Sequence, residues 1–216
     1  MSAVTDLQTY LFDLRGYVML EGALNAAEVE ELNAGLSSIP RLEPGRWHGH
    51  VHGHSYYGGD GVNYQQIYEG GEPFERLIDH PSWIDHMKLY VGGEGSFDYH
   101  HGPLFIDECF ANFRRPGEGI GLHSGGYPPI HRNQYRYHGG RFMCGQVNVL
   151  MALTDIEPGD GGTVVIPGSH KSNFEHPDAA EHNTRTKGLH VEGLEGAVEL
   201  QMRAGDALVF VDGLSH

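Results

Sequence analysis

The segment RRPGEGIGLHSGG at residues 114–126 is followed, much later in the chain, by AGDALVFVDGLSH at residues 204–216. Each segment carries one histidine, His123 or His216, at the end of a run that resembles a β-strand. Histidines that are far apart in sequence and that both follow strands indicate a metal bound across a β-barrel rather than in a local loop. We therefore expect these two residues to lie together at the centre of the fold.

The composition favours one acidic domain rich in turns. The 216 residues include 29 acidic and 14 basic side chains, a formal net charge of −15, with no basic stripe, so nucleic acid and anionic membranes are not expected partners. The 32 glycines and 16 histidines are typical of a turn-rich β protein that binds a metal. We predict a single domain over residues 1–216, and we expect Cys109 and Cys144 to be core residues.

The expected location is cytoplasmic. No apolar run approaches the ~20 residues needed to cross a bilayer. The first residues also lack a charged stretch followed by an apolar one, so no secretory signal is expected.

The predicted elements form a mainly β fold with flanking helices. A helical flank covers about residues 1–40, and its second helix begins at Asn25, which can cap free backbone amides. Short β-branched runs separated by Gly-rich turns follow, and we place a jelly-roll barrel of the cupin type at about residues 97–216.

The first helix is predicted over Thr5–Leu14. Leu7, Leu11 and Leu14 would form its buried side, and Gly16 would end it.

Residues 47–54, WHGHVHGH, alternate histidine with small or apolar residues. An extended backbone would place all of these imidazoles on one face, where they could bind a transition metal. A solvated or substrate-facing loop is the alternative, because the glycines make the stretch flexible and no carboxylate is interleaved. The histidines concerned are His48, His50, His52 and His54.

His123 and His216 fit the pattern of a mononuclear non-haem iron site. Such a site holds Fe(II) with two histidines and one carboxylate and leaves open positions for co-substrate and oxygen. The carboxylate usually lies two residues after the first histidine, since that offset places both side chains on one face of a strand.

Several segments resemble the phytanoyl-CoA dioxygenase family. They are FDLRGY at residues 12–17, LTDIEPGDGGTVVIPGSHK at residues 153–171, and the two segments that contain His123 and His216. The resemblance covers most of the chain. It implies a double-stranded β-helix, Fe(II), 2-oxoglutarate and O2 as cofactors, and a structural role for His170.

Gly125 stands where the resemblance places the metal carboxylate. In halogenases of related fold, a small residue at this position makes room for chloride, which supplies the missing negative charge. Alternatively another carboxylate is recruited, and Asp212 is the best candidate, because Gly213 could let the chain turn back towards His216. In the third interpretation the metal has been lost and the barrel only binds a ligand.

The resemblance also implies an arginine after His216 that would pair with the distal carboxylate of 2-oxoglutarate. The sequence ends at His216, so we expect a truncated chain that lacks the closing strand of the barrel. The remaining 2-oxoglutarate contacts are predicted at Asn148 and Gln146, which share one strand face, and at Asn112. The loop at residues 127–137 follows His123 and is expected to cover the metal.

The function expected from the resemblance is hydroxylation of an unactivated C–H bond in a small molecule. A chloride-dependent halogenase and a non-catalytic metal- or ligand-binding barrel are the alternatives. No basic patch suggests a CoA thioester as substrate, and the sequence does not indicate an oligomeric state.

Overall fold

The described part of the chain is mainly β with flanking helices. The structure, a computed structural model, describes residues 4–91, 104–182 and 193–216. The strands are β1 Tyr17–Leu20, β2 Trp47–His48, β3 Val51–His54, β4 Val62–Gln65, β5 Phe110–Phe113, β6 Tyr137–His138, β7 Arg141–Phe142, β8 Val147–Met151, β9 Val164–Val165, β10 Val198–Glu199 and β11 Ala207–Val211. The α-helices are α1 Asp6–Arg15, α2 Ala26–Ser38, α3 Glu72–Glu75, α4 Ile84–Val91 and α5 Ala179–His182, and single 3-10 turns span Ile67–Gly70 and Ser169–Lys171.

The chain forms two compact units. The first comprises Met1–Leu24, Pro81–Phe105 and Gly121–His216, and the second comprises Asn25–His80 and Ile106–Ile120. The predicted start of the barrel near residue 97 lies outside the described residues. Within the ranges that the structure describes, no helix is long and apolar enough to cross a membrane.

Strand β11 is the centre of the first unit. It lies between β1 and β8 and pairs with both in antiparallel fashion. All five of its residues are buried, as expected for a central strand covered on both faces. This strand leads directly into Asp212 and His216, so the best-packed element of the unit positions the candidate site.

Helix α1 begins and ends as predicted, but its buried face differs. Thr5 caps the first turn in a capping box, and Gly16, with φ of 84°, ends the helix in a left-handed conformation. Phe12 is fully buried and stacks on Tyr90, with ring centroids 3.6 Å apart, whereas Leu7 is 64% exposed. The prediction of a buried leucine stripe was wrong, because burying the larger aromatic side chain sets the rotation of the helix.

His170 is held inside the first unit. Its Nε2 atom lies 3.1 Å from the carbonyl oxygen of Asp13, and its ring contacts Tyr135 edge-on. The side chain is 4% exposed. These contacts fit the structural role that the family resemblance implied.

The second unit contains an antiparallel sheet in the order β2-β3-β4-β5. Val51 and Tyr64 point to its buried face, where the Tyr64 hydroxyl accepts a hydrogen bond from the amide of Leu42. Helix α2 begins as predicted, with Asn25 capping the amides of Ala27 and Glu28.

The histidines of residues 48–54 do not share one face. A turn at Gly49, with φ of 58°, separates β2 from β3, and His48 pairs with Val51 while Trp47 pairs with His52. Directly paired residues point to the same side of a sheet. His52 and His54 therefore share a face with Trp47, and His48 lies on the opposite face, because the hairpin reverses the chain where an extended strand was expected.

Candidate metal centre

His123 and His216 are brought together by backbone pairing. The amide of His123 donates to the carbonyl of His216 at 2.9 Å, and the amide of His216 donates to the carbonyl of His123 at 3.2 Å. Residues that exchange both hydrogen bonds are direct cross-strand neighbours with side chains on one face. Accordingly, the centroids of the two imidazole rings are only 4.1 Å apart.

Both imidazoles are oriented by backbone carbonyl groups. Nδ1 of His123 lies 3.1 Å from the oxygen of Gly121, and Nδ1 of His216 lies 2.6 Å from the oxygen of Leu214. Since a carbonyl can only accept, each Nδ1 carries the proton and donates. Each Nε2 then keeps its lone pair for a metal, which is the usual arrangement of histidine ligands.

Burial keeps these two side chains neutral. It lowers the pKa of His123 and that of His216, where the neighbouring His123 adds to the effect. Neutral imidazole is the form that binds a metal. At neutral pH the pair therefore needs no deprotonation before it can bind one.

Gly125 cannot be replaced by a carboxylate residue without a change in the backbone. Ser124 and Gly125 have φ of 62° and 98°, so the chain leaves the extended conformation immediately after His123. A β-carbon at Gly125 would also lie 2.7 Å from Oγ of Ser215. The strand geometry that normally places a carboxylate beside the first histidine is therefore absent at this position.

Asp212 lies at the end of β11 in a bidentate ion pair with Arg132. Its two carboxylate oxygens accept from Nε of Arg132 at 2.8 Å and from Nη2 at 3.1 Å. Its side chain is 3% exposed, against 52% for that of Arg132. The Asp212 carboxylate opposes the lowering of both histidine pKa values, whereas the Arg132 guanidinium adds to that lowering.

Asn148 and Gln146 extend this network along β8. The Nδ2 atom of Asn148 donates to Asp212 at 3.1 Å, and Nε2 of Gln146 donates to the side-chain oxygen of Asn148 at 2.9 Å. The structure thus brings together three of the predicted site residues, Gln146, Asn148 and Asp212. Arg132, in the loop after His123, was not predicted as their partner, although a carboxylate expected inside the fold signals the need for a cation.

Asn112 belongs to the second unit. It lies on β5 opposite Asn63, is exposed, and accepts a hydrogen bond from Nη2 of Arg114 at 3.4 Å. Gln146 and Asn148 belong to the first unit. Its assignment to 2-oxoglutarate stays a prediction.

The residues present fit a metal held by two histidines. Across residues 4–91, 104–182 and 193–216, no group of three or more His, Cys, Asp or Glu side chains is arranged to hold a metal ion. The paired imidazoles with available Nε2 atoms nevertheless match the two histidine donors of a two-histidine, one-carboxylate metal site. Direct ligation by Asp212 stays a prediction.

Comparison with known proteins identifies the family of the chain. Residues 12–216 match the family model described as "Phytanoyl-CoA dioxygenase (PhyH)". No curated protein matches the chain.

Solved structures share its fold. HygX from Streptomyces hygroscopicus, with nickel, 2-oxoglutarate and hygromycin B bound, is 20% identical with a TM-score of 0.72, over 100% of this chain and 81% of that one. EctD from S. alaskensis, with 2-oxoglutarate and 5-hydroxyectoine, is 16% identical with a TM-score of 0.62, and the match covers 98% of this chain and 69% of EctD. The epimerase SnoN from nogalamycin biosynthesis is 17% identical with a TM-score of 0.54, and the match covers 97% of this chain and 73% of SnoN.

Proposed function

The chain belongs to the phytanoyl-CoA dioxygenase family, and on that basis we propose that it is an Fe(II)- and 2-oxoglutarate-dependent oxygenase that hydroxylates an unactivated C–H bond of a small molecule. The observation that carries the proposal is the pairing of His123 with His216, which aligns two neutral imidazoles on one face.

The solved structures support the cofactors and the class of substrate. HygX has been crystallised with iron, and with nickel, 2-oxoglutarate and hygromycin B. EctD has been crystallised with 2-oxoglutarate and 5-hydroxyectoine. We propose the same cofactors, with O2 as the oxidant, and a small-molecule substrate for this chain.

Each residue of the site has a separate role in the proposal. His123 and His216 would hold Fe(II) through Nε2, and iron with 2-oxoglutarate and O2 supplies the oxidising power for C–H hydroxylation. Asp212 contributes a carboxylate to the site, and Arg132 orients that carboxylate through the bidentate ion pair. Asn148 and Gln146 lock the carboxylate in place and offer amide groups to 2-oxoglutarate.

Halogenation is the second candidate function. It is favoured by the left-handed backbone at Gly125, where a carboxylate side chain would be strained, and by Oγ of Ser215, which lies 2.7 Å from the position of a β-carbon there. An anion such as chloride would then supply the missing charge. Hydroxylation stands first because the chain belongs to a family of dioxygenases and because Asp212 offers a buried carboxylate in the same unit as both imidazoles.

Anaerobic titration with Fe(II) and 2-oxoglutarate tests both candidates through the visible charge-transfer band of the complex. We expect a band in the unmodified protein and in His50→Ala, a control at the hairpin turn of the second unit. The band should be lost in His123→Ala and in His216→Ala. The absence of a band in the folded, unmodified protein would exclude the oxygenase and leave a binding barrel.

Chloride and Asp212 distinguish the two enzyme classes in the same titration. A band that is insensitive to chloride but is weakened in Asp212→Ala supports oxygenation with a recruited carboxylate. A band that shifts with chloride in the unmodified protein supports the halogenase and contradicts our first proposal.

A further inference from the structure

The sheet of the second unit has one face made of aromatic and polar side chains. The register pairs Trp47 with His52, His52 with Gln65, and Gln65 with Phe110. Directly paired residues point to the same side, so these four side chains lie in a row across the sheet. The opposite face carries Val51 and belongs to the core. The row is therefore not required for packing this sheet onto that core.

Trp47 and His52 form a flat platform at one end of the row. Their rings are stacked, with centroids 4.4 Å apart and an interplanar angle of 21°. Trp47 is 59% exposed, in contrast to the other tryptophan of the chain, Trp83, which is 3% exposed. An exposed indole fixed in place by a second ring offers a stacking surface to a ligand.

A cleft of about 200 Å³ lies beside this platform. It is smaller than the roughly 300–1,000 Å³ of sites for drug-sized ligands, so it accommodates a single small ring. Besides the platform, its lining consists of amide, phenol, carboxyl and thiol side chains. They are Gln65, Gln66, Tyr68, Asp107, Glu108 and Cys109.

The polar groups of the cleft are held in place by hydrogen bonds. The Tyr56 hydroxyl accepts from Nε2 of Gln65 at 2.6 Å and donates to the carboxylate of Glu108 at 3.3 Å. This chain joins two lining residues from different strands and loops of the unit. A site whose polar groups are already ordered loses less conformational entropy when it binds a ligand.

The two carboxylates of the cleft form no ion pair with any described residue. Among the residues that the structure describes, neither Asp107 nor Glu108 takes part in an ion pair. The formal net charge of −15 adds to the attraction of the protein for cations. A ligand with an ammonium group would supply the positive charge that the described residues do not place beside these carboxylates.

We infer that this cleft is a binding site for a small polyhydroxylated ring that carries an ammonium group, that is, an amino sugar. The ring stacks on Trp47, its hydroxyl groups bond to Gln65 and Gln66, and its ammonium group lies between Asp107 and Glu108. The inference concerns binding alone and does not depend on the iron chemistry.

Saturation-transfer NMR of the full chain with two matched sugars tests the inference. The probes are 6-amino-6-deoxyglucose, whose amine is protonated at neutral pH, and glucose, which lacks only that charge. We expect the amino sugar to bind at least about fivefold more tightly than glucose, since it adds one charge-assisted contact. Raising the salt concentration should reduce the difference.

Three variants and one control locate the site. Glu108→Gln and Asp107→Asn preserve the shape of the side chain. Each should weaken binding of the amino sugar at least about threefold, as expected for the loss of one exposed charge contact. Trp47→Ala should abolish binding of both sugars. Glu72→Gln removes an exposed carboxylate of α3 that is paired with Arg76 and should change nothing.

Equal affinity for the two sugars, or full binding by a folded Trp47→Ala variant, would overturn the inference. Circular dichroism melting curves establish that each variant is folded. Iron binding by His123 and His216 is unaffected by either result, so failure here is distinguishable from failure of the oxygenase proposal.

Discussion

At the scale of single residues, backbone conformation determines which groups can reach the metal. His123 is in a paired, extended conformation, but the next two residues have positive φ. The alternation that would bring the side chain at position 125 beside His123 is therefore interrupted. Sequence spacing alone could not show this, because it assumes that the strand continues.

Replacing Gly125 tests this conformation. Gly125→Ala should lower the free energy of unfolding for two reasons. Placing a β-carbon on a left-handed backbone costs about 1–2 kcal/mol, and overpacking against Ser215 costs about 1–3 kcal/mol more. Gly159→Ala is the matched control, since Gly159 has φ of 87° and open space around its β-carbon position. Urea unfolding that shows equal losses in the two variants would contradict the predicted contact with Ser215.

Breaking the pair between Asp212 and Arg132 tests the internal charge. Arg132→Ala leaves a carboxylate whose side chain is 3% exposed without its cation, so we expect a loss of about 1–3 kcal/mol in the free energy of unfolding. The double variant Arg132→Ala/Asp212→Asn should lose less than the sum of its single variants, because both charges are then gone. Additive losses in a double-mutant cycle would show that the pair is not coupled.

At the scale of elements, α1 and β11 support the site. Helix α1 begins after Thr5 and ends at Gly16, as the sequence predicted, because capping depends on local chemistry. The face that it buries depends on Tyr90, a residue distant in sequence, with which Phe12 stacks. Long-range packing of this kind cannot be read from helical periodicity.

Truncation of α1 side chains distinguishes its two faces. Phe12→Ala should lower the free energy of unfolding by about 3–5 kcal/mol, as expected for a buried aromatic residue. Leu7→Ala, on the exposed side, should change it by less than about 0.5 kcal/mol. If thermal or urea unfolding showed a larger loss of stability for Leu7→Ala than for Phe12→Ala, the leucine stripe would be the buried face of α1.

For the candidate metal centre, the meeting of residues distant in sequence could be predicted better than the hydrogen bonds that connect them. His123 and His216 follow strand-like runs, so their meeting could be anticipated, and Gln146 with Asn148 follows from strand alternation. The pairing of Asp212 with Arg132 could not be anticipated, because it joins a strand end to an irregular loop. The prediction that the histidines of residues 48–54 share one face was wrong, because a turn at Gly49 reverses the chain.

At the scale of the whole molecule, buried neutral histidines link stability to pH. Burial lowers the pKa of His170 to about 4, and the charge of Lys171 adds to the effect. The unfolded chain, with the ordinary pKa of about 6.5, therefore binds more protons than the folded protein between these values. The stabilisation by the neutral ring is fully present above pH ~6.5 and is lost as the pH falls towards ~4.

Substitution of His170 isolates this contribution. The free energy of unfolding should fall as the pH is lowered from ~6.5 to ~4, and His170→Gln should reduce the slope by up to about 1.4 kcal/mol per pH unit. His123 and His216 act in the same direction and remain in the variant, so some slope persists. An unchanged slope in urea titrations at several pH values would mean that His170 is not buried in its neutral form.

Anomalous diffraction at the iron absorption edge, from crystals of the protein loaded anaerobically with Fe(II), tests the central claim most directly. The account predicts one peak within about 2.0–2.2 Å of Nε2 in both His123 and His216, by analogy with metal–imidazole distances at zinc sites. A peak between His52 and His54 instead, or no peak at the paired histidines, would contradict it.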